Sequence, residues 1–155
     1  MDIRAATPDD ARRISALLRD LAGKYIAHEF SEEGAGRLLE SMSEVAIRSY
    51  LESGYRYHLA EENGELAGVI AIRDNRHLYH LFVSERFQSK GVARRLWEVA
   101  KAASLSAGNP GVFTVNSSRY AVAVYEKFGF VRQSEAVDVS GVICIPMKLE
   151  SVIRE

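Results

Sequence analysis

At 155 residues the chain has the length of one domain that can bury a core without disulfide or metal support. Hydrophobic residues make up 47% of it and charged residues 26%, which excludes a disordered or fibrous chain. The net charge of -1 excludes a nucleic-acid footprint, because Glu85 and Glu98 flank the basic cluster of Arg86, Lys90, Arg94 and Arg95; that cluster suits a small polyanion.

From the N-terminus, Met1 to Ala6 reads as a short strand. Asp2, Arg4, Asp9 and Asp10 precede any apolar run, so neither a signal peptide nor a membrane anchor is expected, and a cytoplasmic setting is the default. Thr7-Pro8-Asp9-Asp10 is a helix start, and Ile14, Leu17, Leu18 and Leu21 give the spacing of an amphipathic helix over residues 8–22, with Gly23 ending it. A second helix is expected from Ser31 towards Glu52, weakened early by Gly34 and Gly36. Between them Tyr25, Ile26, His28 and Phe30 either line a substrate cleft or pack on the neighbouring helix.

Residues 55–61 and 66–72 read as strands joined by a hairpin turn at Asn63-Gly64, where both residues tolerate positive backbone angles. Arg73 to Arg76 is a polar connection, and His77 to Val83 is the next strand. Strict alternation there groups His77 with Tyr79, Leu81 and Val83, and His80 with Leu78 and Phe82. A helix follows over residues 92–105, then a short strand at 112–115, a helix at 118–128 closed by Gly129, and final strands at 130–132 and 142–149. Three strands in series imply antiparallel pairing early in the sheet, and the strand-helix-strand passages imply parallel pairing later. One domain, residues 1–155, is expected.

The turn Gln88-Ser89-Lys90-Gly91-Val92-Ala93 joins an apolar strand to a helix. Gly91 leaves the backbone open, Ala93 is small, and first-turn amides, which lack partners inside a helix, can donate to phosphate oxygens. Lys90, Arg94 and Arg95 add charge. Neither the nucleoside-triphosphate loop nor the dinucleotide fingerprint is present, and one glycine in such a place also occurs as a plain turn.

Gln88, Gly91 and Ala93 after Leu81-Phe82-Val83, together with Asn116, Tyr125 and Gly129-Phe130, resemble the signatures of the GCN5-related N-acetyltransferases (GNAT). Element order matches over nearly the whole chain, and the specific signatures occupy roughly residues 81–130. The resemblance implies an α+β fold with a mixed, centrally splayed β-sheet flanked by helices. It implies acetyl-CoA as cofactor, with Gln88 as the first residue of the cofactor signature, the pantetheine arm beside Phe82 and Val83, and the pyrophosphate on the amides of Ser89, Lys90, Gly91, Val92, Ala93 and Arg94. Asn116 then positions the arm, or else caps the following helix, a task open also to Ser117 and Ser118.

The implied activity is direct transfer of acetyl to a primary amine of a small molecule or peptide, with Tyr125 as the acid facing the leaving sulfur. The base is open among His77, His80, His58 and His28, or water; His77, near the strand start, is the candidate named for the cleft. Cys144 reads as a buried structural thiol between Ile143 and Ile145. No metal site is expected, since neither a His-Glu-x-x-His helix nor paired cysteines occur. Acceptor choice is assigned to residues 24–30, the second helix and the turn at 73–76; a homodimer through the last strands is a family tendency. The competing reading is a noncatalytic acyl-CoA-binding or sensor module.

Overall fold

In a computed structural model, which describes residues 1–151, the sheet forms first as an antiparallel meander. Strand β1 (Asp2–Ala5) pairs with β2 (Arg56–Glu62), β2 with β3 (Glu65–Arg73), and β3 with β4 (His77–Val83). Asn63 and Gly64 have φ of 52° and 79°, the left-handed pair that a two-residue hairpin requires. The second half consists of β5 (Val112–Ser117), β6 (Val131–Arg132), β7 (Val137–Val139) and β8 (Val142–Glu150), with β8 lying between β5 and β6.

Helices cover both faces. Helices α1 (Ala11–Tyr25), α2 (Glu32–Glu40) and α3 (Glu44–Glu52) lie on one face, where Ile14, Leu18 and Ile47 meet Tyr57, Leu59 and Val69. Helices α4 (Val92–Ser106) and α5 (Val122–Lys127) lie on the other, packing Leu96, Trp97 and Tyr125 on Phe113 and Met147. Full burial of such side chains supplies on the order of 1.5–3 kcal/mol each, so the two cores fix the sheet between them.

Four sequence expectations change. Residues 8–10 are a separate 3-10 turn, and α1 runs through Gly23 to Tyr25, because buried Ala22 and Ile26 hold the next turn against the core and Gly23 faces open space. The long second helix is two helices: the chain turns at Ser41 to Ser43, Ser15 Oγ donates to the Met42 carbonyl at 2.5 Å, and Ser43 Oγ accepts from the Ala46 amide to cap α3. The segment expected as one helix at 118–128 begins as a 3-10 turn over Arg119–Ala121. Finally, β7 forms a hairpin with β8 through Ser140 and Gly141, at φ of 55° and 86°.

That hairpin explains Gly34. A Cβ on Gly34 would collide with the backbone of Gly141, and one on Gly141 with Ser31 Oγ, so the turn lies backbone to backbone on the start of α2. Arg37 Nη1 donates to the Ser140 carbonyl at 2.7 Å and holds it there.

Candidate functional site

The sheet is continuous except at its middle. Parallel pairing of β4 with β5 is confined to His77 with Thr114 and Leu78 with Val115. Beyond that root β4 stays with β3 as far as Val83 opposite Gly68, while β5 follows β8 as far as Ser117 opposite Ile145, so the two strands separate. Side chains brace the root: His77 Nδ1 and Thr114 Oγ1 are 2.7 Å apart, and Asn109 Nδ2 donates to the carbonyls of Asn75 and Val112. The opening is a cleft of about 630 Å³, within the range of small-molecule sites.

A bulge sets what β4 shows to the cleft. Ala71 pairs with His80 but Ile72 with Leu78, leaving Tyr79 as the extra residue. The alternation expected from sequence is therefore broken. Leu78, Leu81 and Val83 pack on the α4 face, while Tyr79 and Phe82 pack on the α1 face. His80 joins the latter group, in a cage of Tyr50, Tyr57, Tyr79 and Phe82.

The turn expected from the sequence to bind an anion lies at the start of α4. Ser89 and Gly91 both have positive φ, 63° and 79°, and no side chain caps the helix. Its first internal bond runs from the Arg95 amide to the Gly91 carbonyl, so the amides of Val92, Ala93 and Arg94 are left without helical partners. Space around the Gly91 Cβ position is open. Gln88 lines the cleft but spends its Nε2 on the Val83 carbonyl at 3.0 Å, bracing the turn against the end of β4. Arg94 also lines it, with its guanidinium over the Phe128 ring and Nη2 on the Lys127 carbonyl. Lys90 is off the wall, its ammonium over Phe87.

Across the cleft stand Asn116 and Tyr125. Asn116 is exposed on the wall, and the cap falls to Ser118, whose Oγ accepts from the Ala121 amide. Tyr125 is 5% exposed, held edge-on by Phe128 and Phe130, and burial pushes its phenol well above the ordinary range. The phenol is therefore protonated at neutral pH.

The structure thus brings Phe82, Val83, Gln88, Ser89, Gly91, Val92, Ala93, Arg94, Asn116 and Tyr125 to one cleft. His77 is not among them. It sits at the paired root, bound to Thr114, and burial with the nearby Arg73 and Arg76 brings it down to about 4. The histidine on the wall is His80, with Nδ1 3.0 Å from the Tyr57 hydroxyl and burial holding it down to about 3. Cys144 also reaches the wall, only partly buried, and desolvation raises its thiol, which argues against a thiolate nucleophile.

On the α1 face the mouth is bordered by the end of α1, by α2 and by the β8 arm of the hairpin. Tyr25 stacks on Tyr120 at 5.1 Å and 9°, spanning from α1 to the turn after β5, while Lys24 Nζ ties α1 to Glu85 at 2.8 Å. Residues 24–30 and the second helical region do line the cleft, as one reading of the sequence had it; residues 73–76 do not, since Asn75 serves to tie the root to the end of α4. The contribution of Val142, Ile143 and Cys144 was missed, because the hairpin that aims them was not seen.

A splayed mixed sheet with an uncapped helix start at its opening defines an acyl-coenzyme A transferase fold. The acetyltransferase (GNAT) domain family matches residues 26–151, and the chain belongs to that family. Among solved structures, a GCN5-related N-acetyltransferase from Rhodopseudomonas palustris is 21% identical, covers 97% of this chain and 95% of its own, and superposes with a TM-score of 0.82. The PaiA N-acetyltransferase from Thermoplasma acidophilum, solved in complex with coenzyme A, is 18% identical over 97% and 98% of the two chains, with a TM-score of 0.75. YncA from Salmonella typhimurium, solved with its cofactor acetyl-CoA, is 19% identical over 100% and 96%, with a TM-score of 0.69. No curated protein matches in sequence. Among the described residues no helix is long and apolar enough to cross a membrane.

Proposed function

We propose that the protein is an acetyl-CoA-dependent N-acetyltransferase acting on a primary amine by direct transfer. The observation that carries this reading is the end of β4–β5 pairing after Leu78 and Val115, beside the unpartnered amides of Val92 to Arg94. Both features fit a coenzyme. The diphosphate suits the helix start and the Ser89–Gly91 turn, and the amide-bearing arm suits the unpaired strand edge near Phe82 and Val83, with Asn116 opposite.

Acetyl-CoA supplies an acyl group already activated as a thioester. The chain supplies position and protons. Transfer forms one C–N bond, breaks one C–S bond, and moves one proton from amine to sulfur in net. Tyr125 is the donor on the sulfur side, its burial keeping the phenol protonated. On the amine side His80 is neutral at pH 7 but far below the basicity needed to hold the amine proton, so that proton leaves to water, and water returns one to Tyr125. A backbone amide near Val83 offers the oxyanion its donor. The covalent route through Cys144 is disfavoured by its raised thiol.

The test is mass-spectrometric acetylation screening of purified protein with acetyl-CoA and mixed amines. An acetylated amine with matching release of free coenzyme A is expected. Tight coenzyme binding without transfer to any amine would instead support the noncatalytic sensor.

A further inference from the structure

Tyr57 is 2% exposed, and among the described residues its hydroxyl has a single hydrogen-bond partner, His80 Nδ1. Burial keeps the phenol protonated. Its proton goes to Nδ1, because the opposite arrangement, Nδ1–H donating to the phenol oxygen, would seal an unpaired O–H in the core. With Nδ1 accepting and the ring neutral, the ring's own proton sits on Nε2. Among the described residues Nε2 has no partner, yet it is not one of the sealed polar atoms left unpaired, which are Glu29 Oε2, His58 Nδ1 and Arg73 Nε. His80 lines the cleft, so Nε2 is the atom through which the ring meets it.

We propose that Tyr57 locks His80 as the Nε2–H tautomer, and that this N–H donates to the acetyl carbonyl oxygen during transfer, beside the backbone donor near Val83. The tautomer stands on the protein's own bonds; the oxygen it serves rests on the acetyl-transfer reading. A histidine base is the reverse case, in which an acceptor takes Nδ1–H and leaves Nε2 free to receive a proton. Here both nitrogens are committed, in a cage of Tyr50, Tyr57, Tyr79 and Phe82. His80 lies between the last β4–β5 pair at Leu78 and the strand end at Phe82 and Val83. An arm that enters from the α4 start along Phe82 and Val83 carries its acyl end towards this point. The carbonyl oxygen gains charge as the C–N bond forms and gives it up as the C–S bond breaks, and Nε2 keeps its proton throughout. His80 faces the thioester from the α1 side of the sheet and Tyr125 from the α4 side. Tyr57 is a positioning residue that acts through His80.

The tautomer is read directly by nitrogen NMR of 15N-histidine-labelled protein, with the His80 signals assigned as those missing from His80→Gln. A protonated Nε2 and a bare, hydrogen-bonded Nδ1 are expected, and Tyr57→Phe should move the Nδ1 signal. Acetyl-CoA should shift Nε2–H more than coenzyme A, which lacks the acetyl carbonyl. In steady-state transfer His80→Ala should lower kcat by about 100-fold. His80→Gln, which keeps an N–H near the Nε2 position but cannot act as a base, should stay within about tenfold of the parent protein. Tyr57→Phe should lower kcat less than His80→Ala, with coenzyme affinity unchanged. A protonated Nδ1 overturns the inference, as do equal losses in the glutamine and alanine variants or an Nε2–H that responds alike to both coenzymes. Failure of coenzyme A to bind removes the transfer reading and the carbonyl role together, whereas binding that leaves the His80 ring unmoved removes this inference alone.

Discussion

The proposed coenzyme side and the proposed acceptor side of the cleft are built by opposite means. The coenzyme side is one continuous stretch, from β4 through the Ser89–Gly91 turn into α4, and its chemistry is mainly backbone. The acceptor side is assembled from pieces far apart in sequence: the end of α1, α2, and a hairpin that begins about a hundred residues later. Backbone recognition needs only a permissive turn and a helix start. Side-chain walls depend on how distant segments happen to meet, and one side can therefore change acceptors without disturbing the other.

The largest separation of the two sides is expected at Tyr125. Tyr125→Phe keeps the buried ring and removes the proton donor, so kcat should fall by about 100-fold while calorimetric coenzyme affinity stays within about twofold. An equal loss of both would make Tyr125 a packing residue of the coenzyme side.

Gly34→Ala tests the acceptor side. Its new methyl meets the Gly141 backbone, so the hairpin must lift from α2, at a cost of about 1–3 kcal/mol in denaturant unfolding. The acceptor KM should rise while coenzyme affinity is kept. Gly91→Ala is the mirror experiment: strain at φ 79° costs about 1–2 kcal/mol, and here coenzyme affinity should fall while the KM for the amine, read at saturating coenzyme, changes little.

Spread over both regions is the effect of pH on stability. His77 at the root and His80 on the wall both titrate below their ordinary value of 6.5, at about 4 and about 3. Between those limits the unfolded chain binds more protons than the folded one. The stability is therefore complete above about pH 6.5, is lost as pH falls below it, and the loss levels off near 4 for His77 and near 3 for His80, with a slope of up to about 1.4 kcal/mol per pH unit for each. Urea unfolding from pH 7 to 4.5 reads it, and His77→Gln should flatten the slope without changing acceptor KM.

What was legible in the sequence follows the same division. The Asn63-Gly64 hairpin, the α4 start and the stretches that carry Asn116 and Tyr125 are local patterns; the structure forms the first as a turn and assembles the others at one cleft. The bulge at Tyr79 leaves no mark in residue types, and it is what sends Tyr79 and His80 to the same face. Val137–Val139 is short and exposed, with none of the buried alternation that marks a strand. Gly34 reads as a weak helical position until Gly141 is seen against it. The break after Ser41 is likewise tertiary, since Ser15 and the Ser43 cap turn what looks like a continuous amphipathic run.

The central claim is that coenzyme A enters between β4 and β5 with its diphosphate on the α4 start. Amide chemical-shift mapping during a coenzyme A titration tests it directly. The largest saturable shifts should fall on Ser89 to Arg94, on Phe82 and Val83, and on Asn116, with β1 and α3 undisturbed. Saturable binding that leaves those amides unmoved and perturbs another surface would contradict it.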